Sequence, residues 1–148
     1  MYQLKVVREQ VPTSIAHYGT KLNSAEDVAC IARELLAQED QEVMLVFFVN
    51  AQSKIIGYME CARGGIDSCQ IDPRVVFRSA LLLPSTSCIV ACHNHPSGDI
   101  NPSKQDIQLT MKLKSAGEMI GILLLDHVII SDRCKQHFSF MQDGILRG

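Results

Sequence analysis

The pattern of apolar and polar positions predicts that strands and helices alternate along the chain. Nearly continuous apolar runs over residues 42–49 and 87–92 have the length of buried strands, and both faces of the first should be covered. Residues 54–60 follow a turn and should return as an antiparallel partner of that first strand. Residues 61–71 are expected to be mainly loop, and an apolar run over residues 119–131 predicts one or two further strands.

Three segments carry apolar residues at helical spacing, over residues 24–37, 73–83 and 103–117. Ser24 is expected to cap the first of these helices, and Gly117 is expected to end the third. Because helices alternate with strands, the predicted fold class is α/β, a three-layer α/β/α sandwich built on a mixed sheet.

Length and composition are those of one ordinary globular domain. With 148 residues, of which 47% are hydrophobic and 20% charged, the chain can bury about two-thirds of its unfolded surface in a single core. We expect residues 1–23 to form an N-terminal arm or edge strand and residues 24–148 to form the main domain.

Charge and hydropathy argue against some classes of partner. A net charge of −2 gives no support to binding of nucleic acid or of an anionic membrane, although it does not exclude DNA. The sequence has no signal-peptide pattern and no apolar run of the about 18 residues that a membrane span needs. We therefore expect a cytoplasmic protein without a membrane partner, and the oligomeric state stays open.

A polar stretch from His93 to Asp106 lies where a predicted strand ends and a predicted helix begins. Residues two apart in a strand point to the same face, so His93 and His95 can direct two imidazoles to one point. Asp106, in the first turn of the helix, lies within reach of that point. Two imidazoles and a carboxylate with an open fourth position form the ligand set of a catalytic zinc, so the hypothesis is a zinc hydrolase. The alternative is a pair of histidines that are merely hydrogen-bonded.

A zinc hydrolase also needs a group that carries protons, and Glu42 at the start of the first buried strand is the candidate. The alternative for Glu42 is a solvated charge that ends a strand, and Glu60 competes for the role on the same logic. Ser103 shares a helix face with Asp106. Its hydroxyl could cap the helix, donate to a developing oxyanion, or do both.

The remaining polar candidates are weaker. Asp99 could be a metal ligand by residue type, but its position is more typical of a turn residue. For His127 two roles are equally well supported: a residue that hydrogen-bonds a metal ligand, or a core histidine with satisfied hydrogen bonds. Cys92 is expected to point to the opposite face from the two histidines of the stretch. His17 and His137 are expected to be surface residues.

These residues resemble a known signature. His93, His95, Ser103 and Asp106 fit the pattern His-x-His, seven residues, Ser, two residues, Asp, which resembles the JAMM motif of the JAB/MPN metalloproteases. The sequence His-Asn-His-Pro-Ser-Gly-Asp that begins at His93, followed later by Asp126-His127, is similar to the RadC-like branch of bacterial JAB-domain proteins. The likeness covers roughly residues 24–143.

The resemblance implies a cytidine-deaminase-like α/β/α sandwich with one zinc per chain. By that likeness zinc would be held by His93, His95 and Asp106. Glu42 would be the general acid/base, and Ser103 would steady the tetrahedral intermediate. The implied reaction is hydrolysis of peptide or isopeptide amide bonds in a peptide or protein substrate.

Two other functions stay open beside the hydrolase. The RadC-like branch carries a DNA-repair label, which implies a DNA-associated factor in repair or mobile-element biology. Longer members add an amino-terminal helix-hairpin-helix region, for which we see no room before residue 24. JAB/MPN domains without ligands serve as non-catalytic interaction modules. A cytidine deaminase is disfavoured because the sequence lacks the Pro-Cys-x-x-Cys ligand set of those enzymes.

Overall fold

The computed structural model describes residues 1, 3, 17–65, 70–131 and 135–147. Most of the predicted arm at residues 1–23 lies outside these ranges; within its described part, Lys21 forms an isolated antiparallel bridge with Lys54. The elements in chain order are α1 Ala25–Leu35, β1 Val43–Val49, β2 Ile55–Arg63, α2 Pro73–Leu82, β3 Cys88–Asn94, α3 Lys104–Ile120, β4 Leu123–Ile130 and β5 His137–Ser139.

The strands form one mixed sheet in the order β2-β1-β3-β4-β5. β1 pairs antiparallel with both β2 and β3, and β4 pairs antiparallel with β5. β3 and β4 are parallel, which requires a crossover connection between them, and α3 is that crossover. The predicted hairpin of the first two strands is confirmed.

Helices cover the sheet on both faces. On one face, alternate residues of β1 such as Leu45 and Phe47 pack with the buried residues of α1. On the other, Met44 and Val46 pack with the buried residues of α2 and α3. All seven residues of β1 are buried, as expected for a strand with two covered faces. The predicted α/β/α sandwich on a mixed sheet is confirmed.

Several boundaries differ from the sequence-based expectations. β2 continues to Arg63, into the predicted loop, because Ala62 and Arg63 still pair with the start of β1. The apolar run that begins at Met119 is divided between the end of α3 and a single strand that starts at Leu123. The short strand β5 was not predicted. No helix in the described ranges combines the length and apolarity of a membrane span.

The prediction that Gly117 ends the third helix is wrong. α3 continues to Ile120, and Gly121 is the residue in the left-handed conformation that terminates it, with φ 82°. Gly117 is buried inside the helix, where a β-carbon would lie 2.4 Å from the carbonyl oxygen of Ile122 and 3.2 Å from the ring of Phe77. The glycine therefore permits a close approach of α3 to the start of β4.

Replacing Gly117 by alanine should destabilise the fold even though alanine is the better helix former. The gain in helix propensity is about 1 kcal/mol. Overpacking costs about 1–3 kcal/mol, and the upper part of that range, about 2–3 kcal/mol, applies here because the closest atom belongs to the backbone, so we expect a net loss of about 1–2 kcal/mol. Urea denaturation measures it. Ser115→Ala, at an exposed position of the same helix, is the control and should change the unfolding free energy by less than about 0.5 kcal/mol. A Gly117→Ala protein as stable as wild type would contradict the close-approach explanation.

Candidate metal centre

Three side chains from two elements converge at one end of the sheet. His93 belongs to β3, His95 follows it directly, and Asp106 lies in the first turn of α3. The Nε2 atoms of His93 and His95 are 2.9 Å apart. The carboxylate oxygens of Asp106 lie 3.1 Å from Nε2 of His93 and 3.4 Å from Nε2 of His95. All three residues are buried or nearly so.

This arrangement fits a metal ion. Donors held in a tetrahedron at about 2.0–2.1 Å from a zinc ion are about 3.3 Å from one another. The separation of 2.9 Å between the two Nε2 atoms, and those of 3.1 Å from His93 to Oδ1 of Asp106 and 3.4 Å from His95 to Oδ2 of Asp106, are near that spacing. The three residues thus form a group that could bind a metal, with two nitrogen donors and one oxygen donor.

Backbone pairing of β3 directs the two imidazoles. His93 lies opposite Met44 on β1 and Ile129 on β4, and Cys92 next to it points into the core beside α1. The predicted opposite orientation of Cys92 is confirmed. One residue beyond the strand, the His95 N–H still donates to the carbonyl of Ile130, at 2.8 Å. Alternation therefore continues to His95, and both imidazoles share one face.

Asp106 is held by the cap of its own helix. Its carboxylate accepts the backbone N–H of Ser103 at 2.7 Å, and the Ser103 hydroxyl accepts the backbone N–H of Asp106 at 3.1 Å. This is a capping box, so the predicted capping role of Ser103 is confirmed. The bonds that start α3 also fix the carboxylate beside the two histidines.

The electrostatics of the group favour a bound positive charge. Burial opposes charge on Asp106, but hydrogen bonds with His93 and His95 outweigh it and hold the pKa of the carboxyl well below its usual range. Burial also opposes charge on His95, and the neighbouring Asp106 carboxylate and Asp99 carbonyl outweigh it and raise the pKa of the imidazole. A buried carboxylate that stays charged needs a cation beside it, either a proton on His95 or a metal ion.

Of the two candidate bases, the structure brings Glu42 to the site. Its Oε1 lies 3.9 Å from Nε2 of His95, and about a third of its side chain is exposed. Glu60 is instead paired with Arg63, whose guanidinium donates to it at 2.6 Å and also contacts Glu39. The register of β1 against β3 makes this distinction, because it sets the start of β1 beside His93.

The sequence matches the family model of the RadC-like JAB domain over residues 22–145. This chain belongs to that family. The resemblance noted from its motifs is thereby confirmed.

Similar curated proteins are bacterial UPF0758 proteins. The one from Flavobacterium johnsoniae is 38% identical over 125 residues, which are 84% of this chain and 53% of that protein. The one from Clostridium perfringens is 42% identical over 112 residues, which are 76% of this chain and 49% of that protein. The one from Clostridium beijerinckii is 37% identical over 126 residues, which are 85% of this chain and 54% of that protein. The chain spans about half the length of the curated relatives it matches.

One residue of this RadC-like JAB domain to which the sequence assigns no role is Asn94. It is 1% exposed, its Oδ1 accepts the Val43 N–H at 2.7 Å, and its Nδ2 donates to the Gln41 carbonyl at 2.9 Å. These two bonds flank Glu42 in the chain. Asn94 therefore ties the backbone around Glu42 to the strand that carries the histidines. The position of this amide between two candidate ligands is the one sequence signal that could have pointed to its role. Its hydrogen-bond partners lie 51 and 53 residues away, so the sequence does not reveal them.

His127 contacts a residue of the candidate metal centre and is also a satisfied core residue, which agrees with both alternatives. Its Nε2 lies 2.8 Å from Nδ1 of His93, and its Nδ1 lies 2.6 Å from the hydroxyl oxygen of Thr110. The ring stacks on Phe140 with centroids 4.8 Å apart. Burial keeps the pKa of His127 well below its usual value, so the ring is neutral near pH 7.

Asp99 acts as a turn residue, the role that the sequence favours. Its carboxylate accepts the backbone and side-chain N–H groups of Asn101, and its backbone carbonyl lies 2.6 Å from Nδ1 of His95. It thus orients His95 through its main chain.

His17 and His137 were expected to be surface residues, and this is wrong in part. Both are half-buried, and each contacts a carboxylate of α1, at 2.8 Å from Glu34 and 2.9 Å from Glu26 respectively. Their partners are distant in sequence, so no local pattern reveals them. Neither histidine belongs to the metal-binding group.

Asn94→Asp should lower stability because an aspartate cannot donate to the Gln41 carbonyl. The substitution removes one buried hydrogen bond and sets a carboxylate against a carbonyl oxygen, so we expect a loss of about 2 kcal/mol or more in urea denaturation.

Asn50→Asp is the matched control for that substitution. The side-chain oxygen of Asn50 accepts from Gln52 and Lys54, and an aspartate keeps both bonds. Its unfolding free energy should stay within about 0.5 kcal/mol of wild type. Equal effects of the two changes would show that the Asn94 amide is not needed to hold the start of β1.

Proposed function

We propose that this RadC-like JAB domain is a zinc-dependent metallohydrolase of the JAMM type that cleaves peptide or isopeptide amide bonds. The observation that supports it most is the convergence of His93, His95 and Asp106 at tetrahedral spacing with the Glu42 carboxylate beside them. The JAB-domain family includes hydrolases, which agrees with the proposal.

Zinc is the metal that suits this donor set. Two imidazoles and one carboxylate leave a fourth position open, as catalytic rather than structural zinc sites do. When bound, zinc supplies a Lewis acid that polarises an amide carbonyl and makes water acidic enough to react near pH 7. His93, His95 and Asp106 would hold the ion; His93 and Asp106 are the more buried of the three, and His95 is the one that lies 3.9 Å from Glu42.

Glu42 is the proposed general acid/base. Its Oε1 lies 3.9 Å from Nε2 of His95, and Glu42 is not a member of the group of His93, His95 and Asp106 that could hold a metal, so its carboxylate adjoins that group. Its partial exposure leaves it accessible to water and substrate. It would take a proton from the attacking water and deliver it to the leaving amine.

Ser103 is the proposed stabiliser of the oxyanion. Its hydroxyl oxygen accepts a hydrogen bond in the helix cap, so the cap does not use the hydroxyl's own hydrogen. That hydrogen remains available to donate to the negative oxygen of a tetrahedral intermediate. The proposed partner is a peptide or protein substrate. The alternatives, a DNA-associated factor and a non-catalytic interaction module, are not favoured.

A comparison of two glutamates tests the proposal. Purified protein is analysed for zinc and assayed on a panel of fluorogenic peptides and isopeptide-linked substrates, with and without chelator. Glu42→Gln should keep one zinc per chain and lose at least about 100-fold in hydrolysis. Glu60→Gln changes the ion pair with Arg63, away from the site, and should keep both the zinc and the hydrolytic activity. His95→Ala should lose the zinc. Hydrolysis that survives removal of all metal would refute the proposal.

A comparison of two serines separates capping from chemistry at Ser103. Ser24 and Asp27 form a capping box on α1 with the same residue types as Ser103 and Asp106 on α3. Ser24→Ala and Ser103→Ala should each cost about 1 kcal/mol of stability. Only Ser103→Ala should also reduce hydrolysis, by about 100-fold. Equal activities of the two variants would restrict Ser103 to its capping role.

A further inference from the structure

We infer that Thr110, acting through His127, sets the ring tautomer in which His93 offers its Nε2 lone pair to the metal. The inference rests on the metal site of the proposed function. Thr110 and His127 touch neither metal nor substrate in this scheme, and they are positioning residues. No pattern in the sequence singles out Thr110.

The contacts form a continuous buried chain behind His93. The Thr110 hydroxyl oxygen lies 2.6 Å from the Asp106 carbonyl and 2.6 Å from Nδ1 of His127. Nε2 of His127 lies 2.8 Å from Nδ1 of His93. Thr110 and His127 are fully buried, and His93 is 1% exposed. Solvent therefore offers these groups no alternative partner, and the direction of each hydrogen bond constrains the next.

Two directions of hydrogen bonding are available, and only one suits a metal ligand. In the first, the Thr110 hydroxyl donates to the Asp106 carbonyl, so Nδ1–H of His127 donates to the hydroxyl oxygen. Nε2 of His127 is then an acceptor and takes Nδ1–H of His93. Because a neutral imidazole carries one N–H, His93 is left with a bare Nε2.

In the second direction, the Thr110 hydroxyl donates to Nδ1 of His127. Nε2–H of His127 then donates to Nδ1 of His93, which places the hydrogen of His93 on Nε2, where a metal must bind. Counted along Thr110, His127 and the outer nitrogen of His93 alone, the first direction makes three hydrogen bonds and the second makes two, because the hydroxyl has a single hydrogen. The difference lies in the bond from Thr110 to the Asp106 carbonyl, and a buried site penalises its loss.

On the ligand side of His93, the metal-free site favours the second state. Oδ1 of Asp106 lies 3.1 Å from Nε2 of His93 and would accept the hydrogen of the second tautomer. A bias from the outer side of His93 is therefore needed. Phe140 stacks on the His127 ring with an interplanar angle of 9°, which keeps the ring in the plane that joins Thr110 to His93.

Substitutions of Thr110 separate its hydroxyl from its shape. Thr110→Val keeps the shape and removes the hydroxyl, and Thr110→Ser keeps the hydroxyl and removes a methyl group. We expect zinc affinity, measured by competition with a chromophoric chelator, to fall about 10–100-fold in Thr110→Val and to stay near wild type in Thr110→Ser. Equal affinities of the valine variant and wild type would overturn the inference.

A double-mutant cycle tests whether Thr110 acts through His127. His127→Phe removes the acceptor for His93 and keeps an aromatic ring against Phe140. In the His127→Phe background, Thr110→Val should weaken zinc binding no further. A full and equal loss in both backgrounds would assign the effect to the Asp106 carbonyl and overturn the inference.

Ring ¹⁵N chemical shifts provide a readout that does not depend on zinc or on the folding of the His127 variant. In metal-free wild type, His93 and His127 should each carry hydrogen on Nδ1, and in Thr110→Val both should carry it on Nε2. Unchanged tautomers would overturn the inference even if the valine variant bound zinc weakly. Wild-type protein that binds no zinc would refute the proposed function, while the shifts would still test the relay.

Discussion

The pairing of β3 with both neighbouring strands as far as His93 is the constraint on which the candidate site depends. β3 is bonded to β1 as far as His93 and to β4 as far as Asn94, and the His95 N–H continues the ladder to Ile130. A strand held on both sides cannot slip by one residue without moving every side chain to the other face. The convergence of two imidazoles two residues apart therefore follows from the sheet, and the loop after them needs only to return the chain to α3.

The same atoms serve folding and chemistry at the start of α3. The capping box of Ser103 and Asp106 satisfies backbone N–H groups that any helix leaves without partners, and a box of the same residue types does so on α1. At α3 the capping carboxylate also faces His93 and His95. Metal binding at this position would use oxygen atoms that the fold has already oriented, so little additional ordering is required.

Much of the fold and of the metal-binding group was predictable because the evidence is local. β1 and β3 are buried on both faces and appear as apolar runs, and the three converging residues lie within one short stretch. The choice of Glu42 over Glu60 was not local, because both residues adjoin strands and only the sheet register separates them. The role of Asn94 depends on a strand 51 residues earlier in the chain. A glycine at position 117 is consistent with a helix terminator and with a close approach between two elements, and only the position of Ile122 decides between the two.

A buried polar layer also explains why the C-terminal segment belongs to this domain. His127 needs a partner for each nitrogen and a surface for its ring, and Phe140 supplies that surface while its N–H donates to the His127 carbonyl. Asp126 holds the segment in place by accepting from the Ser139 hydroxyl and the Met141 N–H. A chain that ended after β4 would leave both His127 and Asp126 short of partners in an apolar surrounding, which is costly. The family match extends to residue 145 and so includes this segment.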